Sequence, residues 1–97
     1  MKTRFLSAAN KDVRCVLDYY FRKAGASVAA DFHEELEEII ERIRRSPNSF
    51  PLIDDLRRRA LLKRFPYQVI YRVEAEGSIL IIAVRHDKLH QSFGLDR

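Results

Sequence analysis

Residues 57–86 read Arg57-Arg-Arg-Ala-Leu-Leu-Lys-Arg-Phe-Pro-Tyr-Gln-Val-Ile-Tyr-Arg-Val-Glu-Ala-Glu-Gly-Ser-Ile-Leu-Ile-Ile-Ala-Val-Arg-His86, and the fold turns on them. Three strands are expected here. The first covers 57–65 and stops at Phe65-Pro66, because proline cannot donate to a ladder. The second, 67–74, is rich in aromatic and β-branched side chains, which suit a pleated, half-buried surface. Residues 75–78 form a turn in which Gly77 supplies positive φ. The third, Ile79–His86, is apolar at almost every position, so it is expected inside the sheet with both faces covered. The three together make an antiparallel meander.

Upstream the period changes from two to 3.6. Val13, Val16, Leu17, Tyr20 and Phe21 recur as one stripe of a helix. Ser7 or Asn10 is placed to cap its start, and Gly25 to close its end. A second helix is expected with Ser27 as its cap and Ala29, Phe32, Leu36, Ile39, Ile40 and Ile43 as its stripe. Its acids come early and its Arg42, Arg44 and Arg45 late, which suits the helix dipole. Glu38–Arg42 and Glu41–Arg45 are spaced as ion pairs four apart. Ser46-Pro47 ends the helix. The short Ala24-Gly25-Ala26 link folds the two helices into an antiparallel hairpin, and residues 3–7 offer an opening strand. The expected class is α+β: an N-terminal strand, then an antiparallel helix hairpin packed on one face of a small, mainly antiparallel sheet. The other face, or the sheet's edge, is left for function.

At 97 residues the chain, 1–97, reads as a single domain. Hydrophobic residues make up 46% and charged residues 33%, a globular composition. One cysteine, Cys15, excludes a disulfide framework and a cysteine zinc cluster. The longest apolar run, Ile79–Val84, is strand length, and no apolar signal core follows Lys2 and Arg4. A cytoplasmic protein without membrane attachment is expected. The net charge of +4 invites an acidic partner. The charge is unevenly spread: residues 56–72 hold Arg57, Arg58, Arg59, Lys63, Arg64 and Arg72 and no acid.

Several chemistries are excluded by spacing. His33-Glu34-Glu35-Leu36-Glu37 lacks the second histidine of a zinc helix motif, and His86 with His90 lacks a third ligand, so no metal is expected. No serine sits in a nucleophile elbow, and no phosphate loop or dinucleotide fingerprint appears, so no cofactor is expected. What remains is the basic strand beside Tyr67 and Tyr71, with Arg85 and His86 closing the next strand. Attack of an RNA 2′-hydroxyl on its own phosphate needs proton carriers and cations, and Arg, Lys, Tyr and His supply both. The alternative is a solvated basic face with tyrosines that merely pack. Alternation along a strand prevents all these groups from sharing one face.

Residues 59–73, with Phe65-Pro-Tyr-Gln-Val-Ile-Tyr71 at their centre, and then Ile79–His86 resemble the RelE/ParE toxin superfamily. Tyr19-Tyr20 and Phe50-Pro51 agree with it. The resemblance implies a toxin from a two-gene toxin–antitoxin module, neutralised by a cognate antitoxin in a toxin–antitoxin hetero-oligomer. ParE-like members inhibit DNA gyrase; RelE-like members are metal-independent endoribonucleases that cut messenger RNA on the ribosome. The long helix hairpin favours the ParE-like reading. A nuclease would use Arg64, Tyr71 and His86 as its catalytic set, with Tyr71 or His86 handling the proton. Substrate or partner binding would fall to Arg57, Arg59, Lys63, Arg72 and Arg85. If Tyr71 packs inward against Phe32 or Leu36, it leaves the set. The chain departs from the common family ending: Leu89 stands at an arginine position, with Ser92-Phe93 beyond it. That departure disfavours a nuclease and leaves a third alternative, a degenerate member that still binds its antitoxin.

Overall fold

The computed structural model describes residues 2–88. The elements run β1 (Thr3–Phe5), α1 (Ser7–Ala24), α2 (Ala26–Arg45), β2 (Arg57–Leu61), β3 (Tyr67–Val73) and β4 (Ile79–His86). They form one four-stranded sheet in the order β1-β4-β3-β2. Strands β2, β3 and β4 are an antiparallel meander, and β1 joins β4 in parallel, Thr3 opposite Ile79. The helix hairpin lies on one face. Leu89, His90, Ser92 and Phe93, named above from the sequence, lie outside the described residues.

The apolar run decides the architecture as expected. Every residue of β4 except His86 is buried. Ile79, Ile81 and Val84 join Val69, Tyr71, Ala60 and Leu62 beneath the stripe of α2, where Phe32, Leu36, Ile39, Ile40 and Ile43 are buried. Fully burying one such aliphatic or Phe side chain stabilises the fold by about 1.5–3 kcal/mol. On the opposite face Ile70, Leu80, Ile82 and Ala83 form a smaller cluster with Leu6 and Ile53 against it.

The β4 strand is not regular. Ile70 pairs with Ala83 but Tyr71 pairs with Ile81, so Ile82 is an extra residue and β4 carries a bulge. Ile82 and Ala83 therefore both face away from the helices, and the alternation restarts one residue out of step. Just past the bulge, Asp12 on α1 accepts the Val84 N–H through Oδ2 at 3.0 Å. The carboxylate ties α1 to the central strand where the ladder is irregular.

The helix ends differ from the sequence expectation. Ser7 is the first helical residue and Leu6 the N-cap, with no side-chain cap. Leu6 cannot offer a side-chain acceptor, and its own N–H is drawn to Ile81 O at 3.0 Å, which joins the helix start to β4. Ser27 lies inside α2. The N-cap there is Gly25, which also ends α1, at φ 95 and ψ 173. That backbone region is essentially reserved for glycine. Phe21 is 59% exposed and leaves the stripe. Tyr20 takes the inward position instead, its ring 5.8 Å from Phe32 and 5.1 Å from Phe65. Glu41 pairs with Arg44 at 3.1 Å and Arg45 at 3.8 Å. The expected partner of Glu38, Arg42, lies instead over the Phe50 ring, 5.5 Å from its centroid. No described helix is long and apolar enough to cross a membrane.

Candidate functional site

Alternation sorts the basic strand. Ala60 and Leu62 enter the core beneath the helices, so Arg58 shares their side, and Arg57, Arg59 and Leu61 face away. Across the sheet Arg57 lies opposite Arg72, Arg59 opposite Ile70, and Leu61 opposite Gln68. Gln68 in turn lies opposite Arg85, and Arg72 opposite Leu80. On the far side Leu80 lies beside Arg4 of β1. The bulge is what brings Arg85 here. Strict alternation from Ile79 would send it under the helices. The extra residue at Ile82 returns it to the open face, with Arg59 close enough to act on it electrostatically.

The open face therefore carries Arg4, Arg57, Arg59, Arg72 and Arg85 around a floor of Ile70, Leu80, Ile82 and Ala83. Arg85 is only 4% exposed. Burial, and then the nearby Arg59 charge, push its pKa down. Two cations held this close in a partly desolvated setting favour an anion beside them. Three of the five are partly neutralised. Arg57 meets Asp54 at 2.9 Å, and Glu74 receives Arg4 and Arg72, each at 3.4 Å. Asp54 also accepts the Leu56 and Arg57 N–H groups at 2.9 and 2.7 Å. Those backbone bonds, with the Arg57 guanidinium, pull its carboxyl below the usual range. Arg59 forms no ion pair among the described residues.

The remaining sequence candidates lie elsewhere. Tyr71 is on the helix side and fully buried. Its hydroxyl donates to Pro47 O at 2.5 Å, and burial pushes its pKa up to about 12. It packs inward in one core cluster with Phe32 and Leu36, and the Phe50 ring lies 6.2 Å from its own. Arg58 clamps the same loop through Asn48 O and Phe50 O, at 3.1 and 2.7 Å. Tyr71 thus leaves the set of groups that a large substrate can touch. The reason is the packing of the 46–50 loop onto the sheet. His86 ends β4 opposite Tyr67, their rings 5.3 Å apart, and its Nδ1 accepts the Lys88 N–H at 3.1 Å.

Lys63 and Arg64 follow β2, which ends at Leu61 rather than at 65. Both side chains are exposed and form no ion pair among the described residues. Their backbone is fixed from below. Glu35 on α2 accepts the Lys63 N–H at 2.9 Å and the Arg64 N–H at 3.1 Å. Glu35 was not among the sequence candidates, nor was Arg4. A signal for Glu35 existed, since position 35 falls on the buried stripe with 32, 36 and 39, where a carboxylate needs a donor.

The arrangement offers cations on one face and a histidine at the end of β4. It suits the binding of an acidic surface or a phosphate. Residues 3–88 match the family described as the ParE toxin of the type II toxin–antitoxin system, parDE. No curated protein matches. Among solved structures, the chromosomal ParDE toxin–antitoxin system of P. aeruginosa is similar, with a TM-score of 0.78 at 20% identity, covering 89% of this chain and 95% of that one. The intact E. coli RelBE toxin–antitoxin complex gives 0.63 at 21% identity, covering 88% and 94%. The isolated E. coli RelE toxin gives 0.63 at 19% identity, covering 98% and 93%. At these identities the likeness is one of fold. The match over residues 3–88 carries the assignment further: this chain belongs to the ParE toxin family of type II toxin–antitoxin systems.

Proposed function

We propose that the chain arrests growth by binding DNA gyrase in the cytoplasm, and that a cognate antitoxin neutralises it by forming a hetero-oligomer. One observation carries the choice of binding over cleavage. Arg57, Arg59, Arg72 and Arg85 share the open face, while Tyr71 lies buried on the opposite one and His86 stands at its edge. Cleaving RNA through its 2′-hydroxyl needs proton carriers within reach of the cations that stabilise the phosphorane. Binding an acidic protein surface needs the cations alone.

The test is induced expression followed by gyrase supercoiling with the purified chain. Growth arrest with inhibited supercoiling supports the proposal. Growth arrest with ribosome-dependent cuts at A-site codons, read by primer extension, replaces it with a RelE-like nuclease. Folded protein that leaves growth untouched makes this a degenerate, antitoxin-binding member.

A further inference from the structure

One end of the open face carries a row of residues beyond the arginines. Thr3 and Val73 flank Ile79 on its two sides. Continuing that register puts Ser78 between Glu74 and Lys2, at the turn from β3 to β4. Ile79 faces the helices, so Ser78, Lys2 and Arg4 face away from them by alternation. The backbone fixes their places. The Ile79 N–H donates to Lys2 O at 2.8 Å, the Glu74 N–H to Ser78 O at 2.8 Å, and the Gly77 N–H to Glu74 O at 2.9 Å. Gly77 makes the turn at φ 93.

A hollow of about 590 Å³ opens here, walled by Lys2, Arg4, Glu76, Gly77 and Ser78. Three of its polar groups are unmatched within the described chain. Ser78 is 6% exposed, and its buried Oγ has no hydrogen-bond partner. Buried hydroxyls are nearly always paired, so this one calls for a partner from outside. Lys2 and Glu76 are exposed and form no ion pair among the described residues, not even with each other. Arg4 reaches Glu74, but that carboxylate also receives Arg72, and two guanidiniums outweigh it. The walls thus offer an anion two cations and a hydroxyl and, apart from them, a carboxylate. A single water takes up about 30 Å³, so the hollow has room for much more than the water that one hydroxyl could hold.

The geometry points to a second ligand site in this hollow, for a phosphorylated sugar. The phosphate oxygens accept from Ser78 Oγ and from the Lys2 and Arg4 cations, and charge-assisted bonds of this kind are the strong ones. Glu76 accepts from the sugar hydroxyls, a donor that a bare phosphate lacks. The volume falls within the range of small-molecule sites, roughly 300–1,000 Å³. The described walls hold no aromatic or aliphatic side chain. Nothing there stacks a base, so a polyhydroxylated phosphate ester suits the hollow better than a nucleotide does.

The full-length chain titrated with ribose 5-phosphate, inorganic phosphate and ribose, with backbone amide shifts followed by NMR, tests the site. Ribose 5-phosphate should move the amides of residues 2–4 and 76–78 and bind about 10-fold more tightly than inorganic phosphate. Ribose alone should not bind. Lys2→Ala should weaken both phosphates, whereas Glu76→Ala should weaken only the ester, by about 10-fold. Ser78→Ala should weaken both without lowering stability, because the hydroxyl it removes is buried and unpaired. Lys2 and Glu76 are exposed, so their variants decide the matter even where Ser78→Ala fails to fold. Shifts that gather at Arg57, Arg59 and Arg85 instead, or none with any probe, overturn the site and leave the hollow to water. Equal binding of ester and inorganic phosphate, unchanged by Glu76→Ala, overturns the sugar and the proposal with it.

Discussion

Replacing Tyr71 with phenylalanine should separate a packing tyrosine from a reacting one. The ring stays and only the hydroxyl leaves, with its bond to Pro47 O. Such a bond contributes about 1 kcal/mol net. Pro47 is half-exposed, so water can reach its freed carbonyl, and the cost at neutral pH should stay near that value. For a domain of this size a loss of about 1 kcal/mol lowers Tm by roughly 4–8 °C. Alkaline pH should reverse the order. The folded pKa of Tyr71 is raised from 10.0 to about 12. A raised pKa contributes stability that is fully present below pH 10 and is lost as pH climbs toward 12. By about pH 11 roughly 1.4 kcal/mol of it is gone. Phenylalanine has nothing to ionise. The wild type should therefore be the more stable at neutral pH, and the two stabilities should cross between about pH 10 and 11. Urea unfolding followed by circular dichroism at a series of pH values reads both effects. Tyr20 and Tyr67, raised chiefly by burial, remain in both chains and cancel. Equal stability at neutral pH with no crossing would refute the buried hydroxyl. A folded variant that no longer arrests growth would show that Tyr71 does chemistry after all.

Other substitutions read other parts of the argument. Glu35→Ala removes the acceptor of the Lys63 and Arg64 N–H groups and should cost about 1–3 kcal/mol in urea unfolding, with Glu35→Gln recovering part of the loss. Asp12→Ala strips the Val84 N–H of its acceptor, and exchange of that amide should speed up ahead of its neighbours on β4. Gly25→Ala meets open space but an unfavourable φ of 95. It should cost about 1–3 kcal/mol from backbone strain alone. Asp54→Asn should flatten the acid limb of the stability curve. Its lowered pKa means a contribution present above the ordinary carboxylate value and lost as pH falls through the folded one.

The sequence carries the sheet's centre and the helix stripes openly, because both are written as burial. Ile79–His86 is bounded by a turn and a histidine, and the α2 stripe from Ala29 to Ile43 is buried at every expected position. The face of each basic residue is less legible. Within β2 simple alternation separates Arg58 from Arg57 and Arg59. On β4 alternation misleads, since an unbroken apolar run holds no trace of an extra residue. Only the bulge at Ile82 shows that Arg85 joins the open face. Tyr71 is hidden for a different reason. Its burial depends on the Pro47–Phe50 loop, whose course follows from the Arg58 clamp and not from any local pattern. The helix caps fail locally too: Leu6 and Gly25 do by backbone geometry what Ser7, Asn10 and Ser27 were placed to do with side chains.

The parallel pairing of β1 with β4 bears on how the chain is born. Thr3–Phe5 is made early and Ile79–Ile81 late, yet they are direct neighbours. Every strand ladder but that of β2 with β3 requires β4. Until β4 emerges during synthesis, β1 has no partner and the helix hairpin has most of its floor missing. Contacts so distant in sequence form slowly. The nascent chain is therefore without its arginine face while it is being translated. The face is completed only once the last strand of the sheet has left the ribosome.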